Sequence, residues 1–184
     1  MMATIQDWQY VLPHYKFERV LFIGENAEGY KPLLSILCCD GGQKLSIPSL
    51  CRSAKLPDKA PGLIITDSPD VVNFFFKFSE LLESGGLLFV RTTGKAFKRT
   101  QNVLGGLDWA SISSYAPFPS FENPWYIAPL GKPHVLTYAL KNLFSSPTLL
   151  RRFILRGAKD LASLSLTKLL IVWLPCVVMV AKKK

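Results

Sequence analysis

The chain has 184 residues, enough for one domain with a real core and too few for two ordinary ones. Hydrophobic residues make up 49% and charged residues 19%, which excludes a chain that is disordered in bulk. Lys plus Arg outnumber Asp plus Glu by 22 to 13, a formal charge of +9, which suits either an anionic partner or a solvated basic face.

The cationic excess gathers in the second half, at Lys95, Lys98, Arg99, Arg151, Arg152, Arg156, Lys159, Lys168 and Lys182 to Lys184. No aromatic-plus-basic signature accompanies it, so nucleic acid is not indicated. Cys38, Cys39, Cys51 and Cys176 form no CxxC pair, and His14 and His134 are too far apart in sequence to argue a metal site. The first residues carry no basic segment followed by an apolar run, so no signal peptide is expected. Reduced, buried cysteines in a cytoplasmic protein are the expectation.

Residues 2–17 read as a short helix or an irregular arm on the sheet, ended by Pro13. The apolar run Val20 to Ile23 has the form of a strand covered on both faces. Gly24 follows, where a residue without Cβ allows a sharp turn and a close ligand. A helix is expected over 28–39, with Pro32 in its first turn and Gly41-Gly42 as its stop; a strand from Ser35 to Asp40 is the alternative. Lys44 to Ile47 reads as a short strand stopped by Pro48, and 49–56 as a short helix. Gly62 to Asp67 is an apolar strand with a polar tip.

Ser68 is a plausible N-cap for a helix opening at Pro69-Asp70 and running through Val71, Val72, Phe74, Phe75, Phe78, Leu81 and Leu82. Phe74 to Phe76 within it read as core packing. Glu83-Ser84-Gly85-Gly86 is a turn, with a glycine expected at the helix C-cap, and Leu87 to Val90 is the next strand. The basic, glycine-containing stretch 91–108 reads as a mobile loop, and Trp109 to Ser114 as a strand. Residues 115–130, with Pro117, Pro119, Pro124 and Pro129 among aromatics, are expected to be irregular: a lid or substrate wall, or a packed connection. Residues 133–161 read as one or two amphipathic basic helices, of a kind that can lie on an anionic membrane or form an outer layer. The apolar run Leu169 to Ala181 is shorter than the ~20 residues that span a bilayer. Its β-branched second half reads as a final strand after Pro175, with the lysines as a solvated end.

Two stretches resemble one family. Arg19-Val20-Leu21-Phe22-Ile23-Gly24-Glu25-Asn26-Ala27-Glu28-Gly29-Tyr30 resembles motif I of the class I S-adenosylmethionine-dependent methyltransferases, a strand running into a GxGxG-like loop. Gly24 and Gly29 stand where the outer glycines would be, Asn26 in the place of the middle one, and Phe22 in the place of the usual acidic residue. Leu81-Leu82-Glu83-Ser84-Gly85-Gly86-Leu87-Leu88-Phe89-Val90 resembles the family's LLKPGGxLxV segment, and Leu63 to Asp67 falls between the two at the family's spacing. The family's acidic ribose-binding residue at the end of the second strand would fall on Pro48 or Ser49 here, with Asp40 lying earlier. The proline-aromatic stretch resembles an insertion in methyltransferase-like proteins of bacterial glycan and glycolipid clusters.

The resemblance implies a Rossmann-like α/β fold: one domain over 1–184, a largely parallel sheet with helices on both faces, a final antiparallel strand, and an abridged core lacking one strand–helix unit. Residues 19–91 would form the cofactor side, 92–134 the loop and insertion, and 135–184 the last helices and strand. It implies S-adenosylmethionine as cofactor, held by Gly24, Glu25, Asn26, Gly29, Asp67 and Ser68. Tyr115 and His134 are the acid/base candidates. The acceptor would be a glycan, a glycolipid or lipid-linked molecule, or another anionic small molecule, with peripheral membrane contact in keeping with the charge. The alternative is an inactive methyltransferase-like scaffold that binds a protein partner, favoured by the absent acidic residues.

Overall fold

The computed structural model describes residues 11–13, 16–24, 43–45, 60–67, 69–118, 126–132, 171, 172, 174 and 176–184. Seven strands form one sheet: β1 (Val20–Ile23), β2 (Gln43–Leu45), β3 (Leu63–Thr66), β4 (Leu87–Thr92), β5 (Trp109–Phe118), β6 (Tyr126–Pro129) and β7 (Val177–Lys183), in the order β2-β1-β3-β4-β7-β5-β6. β2, β1, β3 and β4 are mutually parallel. β7 runs antiparallel between β4 and β5, and β6 closes the far edge antiparallel to β5. Among the described residues the sheet ends at β2 on its other side. This is the expected Rossmann-like sheet in abridged form.

β1 is buried along its whole length, as are β3 and the first four residues of β4, which is why they read as continuous apolar runs. Alternation along each strand divides the core into two layers. One face carries Val20, Phe22, Leu63, Ile65, Leu87, Phe89, Val178 and Val180, and Leu12 and Phe17 of the N-terminal segment cover it. The other carries Leu21, Ile23, Ile64, Leu88, Val90, Val177 and Met179, packed under helices. These are a 3-10 turn (Pro69–Phe74) leading into α1 (Phe75–Leu81), and α2 (Gly94–Gly105). Of the short helix or irregular arm expected over 2–17, residues 11–13, 16 and 17 are described; the helices expected over 28–39, 49–56 and 133–161 lie outside the described residues.

Five expectations are corrected. The stretch 91–108 is no loop: α2 occupies most of it. The Thr93 hydroxyl accepts from the Ala96 amide at 3.3 Å as N-cap, and Phe97, Thr100 and Leu104 turn inward at helical spacing. The glycines that suggested a loop bracket the helix instead. A Cβ on Gly94 would lie 1.9 Å from the Ile171 carbonyl oxygen, so glycine is required there for close packing. The expected irregular stretch 115–130 is a strand at each end. Pro117 lies past Tyr115↔Val178, and Pro129 sits on an edge strand, so both missing N–H groups fall at the sheet margin. Residues 119–125 lie outside the described residues.

The C-cap of α1 is Leu82, in extended conformation, not glycine; Gly85, at φ 78°, supplies the left-handed turn further on. Of the three phenylalanines, Phe75 is buried, Phe74 is half-buried and Phe76 is 61% exposed, because adjacent helical residues cannot share one face. The last lysines are more than a solvated end. The Lys183 ammonium donates to the Leu82 carbonyl at 2.5 Å, and Lys184 pairs with Asp108.

Candidate functional site

In a doubly wound sheet, ligands bind outside the carboxyl ends of the strands where the strand order switches direction. Here β1 is followed by β2 on one side, while β3 returns on the other. The switch therefore lies between β1 and β3, and Gly24 and Asp67 are the first residues past their ends.

The two residues fit together closely. A Cβ built on Gly24 would lie 2.0 Å from Asp67 Oδ1 and 3.0 Å from both Asp67 Cγ and Phe22 Cζ. The Asp67 carboxylate is thus lodged against the bare Cα of Gly24, half-buried, at the mouth of the crevice. Any other residue at position 24 would push it away. Phe22, which stands where the family has an acid, is fully buried in the core. It supplies apolar packing beneath the carboxylate and no charge.

The register places further polar groups in the same row. Ile23 pairs with Thr66, Thr66 with Val90, Arg91 with Val178, and Val178 with Tyr115. One residue further along each parallel strand, Gly24, Asp67, Arg91 and Tyr115 stand level across the carboxyl edge. Alternation puts all four on the face that holds Phe22, Ile65, Phe89 and Val178. A carboxylate, a guanidinium and a phenol therefore follow one another along one edge. Strands lie about 4.8 Å apart, so Tyr115 is about 14 Å from the Asp67 strand and about 19 Å from the Gly24 strand. Tyr115 does not touch the Gly24–Asp67 pair; a ligand joining them must run along the edge.

Arg91 was not among the sequence candidates. The signal was present: in Leu87-Leu88-Phe89-Val90-Arg91 the alternation carries the Arg onto the Phe89 face at the strand end. On the opposite face, the hydroxyls of Thr66 and Thr92 are buried without a hydrogen-bond partner among the described residues. Buried hydroxyls ordinarily find one. Glu25, Asn26, Gly29, Ser68 and His134 lie outside the described residues.

A cavity of about 740 Å³ opens beside Tyr115 at the far edge. Phe97, Ile112, Leu130 and Ile171 give it apolar walls; Gln101, Ser113, Ser114 and Lys132 are its polar groups. No carboxylate is among these lining residues. A smaller cavity of about 310 Å³ lies against Tyr115 and Leu12. Among the described residues there is no cluster of side chains able to hold a metal ion, and no helix long and apolar enough to cross a membrane. Cys176 is buried in the core.

No protein-family model and no curated protein matches the chain at the level of sequence. Solved structures do match. A SAM-dependent O-methyltransferase from Thermotoga maritima superposes with a TM-score of 0.52 at 12% identity; the match covers 97% of this chain and 64% of that one. The O-methyltransferase TomG from Streptomyces achromogenes, solved with SAM, gives 0.51 at 9% identity, over 99% of this chain and 88% of that one. Phosphoethanolamine N-methyltransferase 2 from Haemonchus contortus, also solved with S-adenosyl-L-methionine, gives 0.50 at 11%, over all of this chain and 38% of that one. The chain thus spans under two thirds of the first and third of these proteins. With the strand order and the switch-point pair, these likenesses give the chain its fold: that of the class I SAM-dependent methyltransferases.

Proposed function

We propose that the protein binds S-adenosylmethionine between β1 and β3 and transfers its methyl group to an anionic acceptor. The observation that carries this reading is the Asp67 carboxylate lodged over Gly24 at the switch point. A carboxylate in a half-buried crevice suits a ligand that is cationic and rich in N–H and O–H donors. S-adenosylmethionine, when bound, supplies a methyl group on a positively charged sulfur.

The chain's own residues would then act chiefly by positioning. Asp67 accepts donors of the cofactor and balances its charge. Gly24 keeps Asp67 in place. Glu25, Asn26, Gly29 and Ser68 complete the loop in this reading. Arg91, next in the row, would hold an anionic group of the acceptor, and guanidinium geometry suits a carboxylate or phosphate. Tyr115 would orient or deprotonate the accepting atom, with His134 the second candidate. The apolar walls of the cavity beside Tyr115 suit an acceptor with a lipid or glycolipid body, and Lys132 among its lining residues suits an anionic one. We read the whole chain as one such domain, cytoplasmic or at the membrane periphery.

The test is methyl transfer from labelled S-adenosylmethionine to fractionated anionic glycans and glycolipids. The expected result is a labelled acceptor whose KM rises at least about tenfold in Arg91→Gln, the loss of one charge-assisted hydrogen bond. Transfer only to neutral acceptors, unchanged by Arg91→Gln, would contradict the acceptor assignment.

A second reading has its own observation. Phe22 is buried in the core where the family carries an acid, so that contact to a cofactor is absent. A methyltransferase-like module that binds no cofactor and serves a protein partner follows from it.

A further inference from the structure

The helix that replaces the expected loop fixes a basic run on one surface. α2 turns Phe97, Thr100 and Leu104 toward the sheet, which leaves Lys95, Lys98 and Arg99 outward along one stripe at i, i+3 and i+4. The helix carries no acidic residue to neutralise them. The layer to which α2 belongs also holds conspicuous exposed apolar side chains. Phe76 on α1 is 61% exposed, and Val172 is 44% exposed beside the Gly94 amide that donates to Leu174 at 3.0 Å. α1, α2 and residues 171 and 174 all contribute to the core layer on one face of the sheet, and Phe76, Val172, Lys95, Lys98 and Arg99 are exposed side chains of that layer. Glu80 on α1 is an acidic group of that layer.

We infer that this helical face docks peripherally on an anionic lipid bilayer, with Lys95, Lys98 and Arg99 meeting the headgroups and Phe76 and Val172 entering the interface. Charge complementarity identifies the lipid class: clustered cations on a helix are drawn to acidic headgroups. The apolar members choose between a bilayer and a nucleic acid. Valine has no flat face on which a base can stack, but it gains by leaving water at the headgroup boundary. The amphipathic surface is rigid, since Thr93 caps the helix and Gly94 locks its start to the 171–174 segment. The inference stands whether or not the chain transfers methyl groups.

The experiment is flotation of the purified chain with phosphatidylserine-containing vesicles and with pure phosphatidylcholine vesicles. Binding to the first alone is expected, weakening as salt is raised. Reversing the stripe in Lys95→Glu/Lys98→Glu/Arg99→Glu should weaken binding roughly 100-fold or more. Phe76→Ser should weaken it several-fold. Lys16→Glu, an exposed cation away from this face, should leave binding within about twofold if the site is local. If the triple variant does not fold by circular dichroism, Phe76→Ser and the salt titration of the wild type decide. Equal binding to both vesicles, binding to neither, or a loss per charge in Lys16→Glu equal to that of the stripe would overturn the inference. So would tighter capture of duplex DNA or RNA than of vesicles through the same three residues.

Discussion

The two ends of the sheet are built differently. At the amino ends of the parallel strands, each chain crossing is tied to the next by main-chain bonds. Arg19 accepts from the Gly62 and Leu63 amides, Gly62 from Leu87, and Gly86 from Lys183. Ser84 adds a side-chain bond to the Lys184 carbonyl at 2.9 Å, and Lys183 one to Leu82. At the carboxyl ends, the same strands present Gly24, Asp67, Arg91 and Tyr115 in a polar row on one face, and buried Thr hydroxyls on the other. The first end satisfies its own polar groups and holds the fold. The second carries its polar side chains in one row at the switch point. Function in such folds sits where the backbone has not closed on itself.

Substitutions at each end should separate stability from binding. Gly94→Ala places a Cβ 1.9 Å from a backbone oxygen that cannot swing aside. Denaturant melts should show about 2–3 kcal/mol of lost stability. Gly94 lies at the carboxyl end but on the helical face, so this loss would mark close packing there and not ligand binding. Asp67→Asn should reduce S-adenosylmethionine affinity by tenfold or more, about 1.5–3 kcal/mol for a charged hydrogen-bond acceptor, read by calorimetry. Gly85→Ala, at the amino end, should cost about 1–2 kcal/mol of stability for its left-handed backbone while leaving cofactor affinity unchanged. Lys184→Ala should change stability by under about 0.5 kcal/mol, because both partners of its ion pair with Asp108 are largely exposed. If Gly85→Ala weakened cofactor binding as much as Asp67→Asn, the contrast between the two ends would fail.

The parallel strands β1, β3 and β4 were legible in the sequence because each holds an unbroken apolar run, and a strand buried on both faces leaves no other pattern. The position of Gly24 and Asp67 followed, since a glycine after one strand and a polar tip on its neighbour mark carboxyl ends. Their mutual contact was not legible: nothing in the sequence says that β1 and β3 are adjacent. The alternation marked the face of Arg91, but only the register set it beside Asp67 and level with Tyr115 across β7. The helix α2 was misread because its terminal glycines weigh toward a loop in isolation, whereas Gly94 is there to let 171–174 approach. That contact joins residues far apart in sequence, and no local pattern can carry it. The end of β5 and the edge strand β6 were obscured by prolines, which central strands exclude and margins tolerate.

The most direct test of the central claim is calorimetric titration of the folded chain with S-adenosylmethionine and S-adenosylhomocysteine, beside Asp67→Asn. The account expects micromolar binding of the first that weakens at least tenfold in the variant, in keeping with a charged acceptor at the switch point. No heat at millimolar ligand from protein shown to be folded would contradict it and leave the partner-module reading in its place.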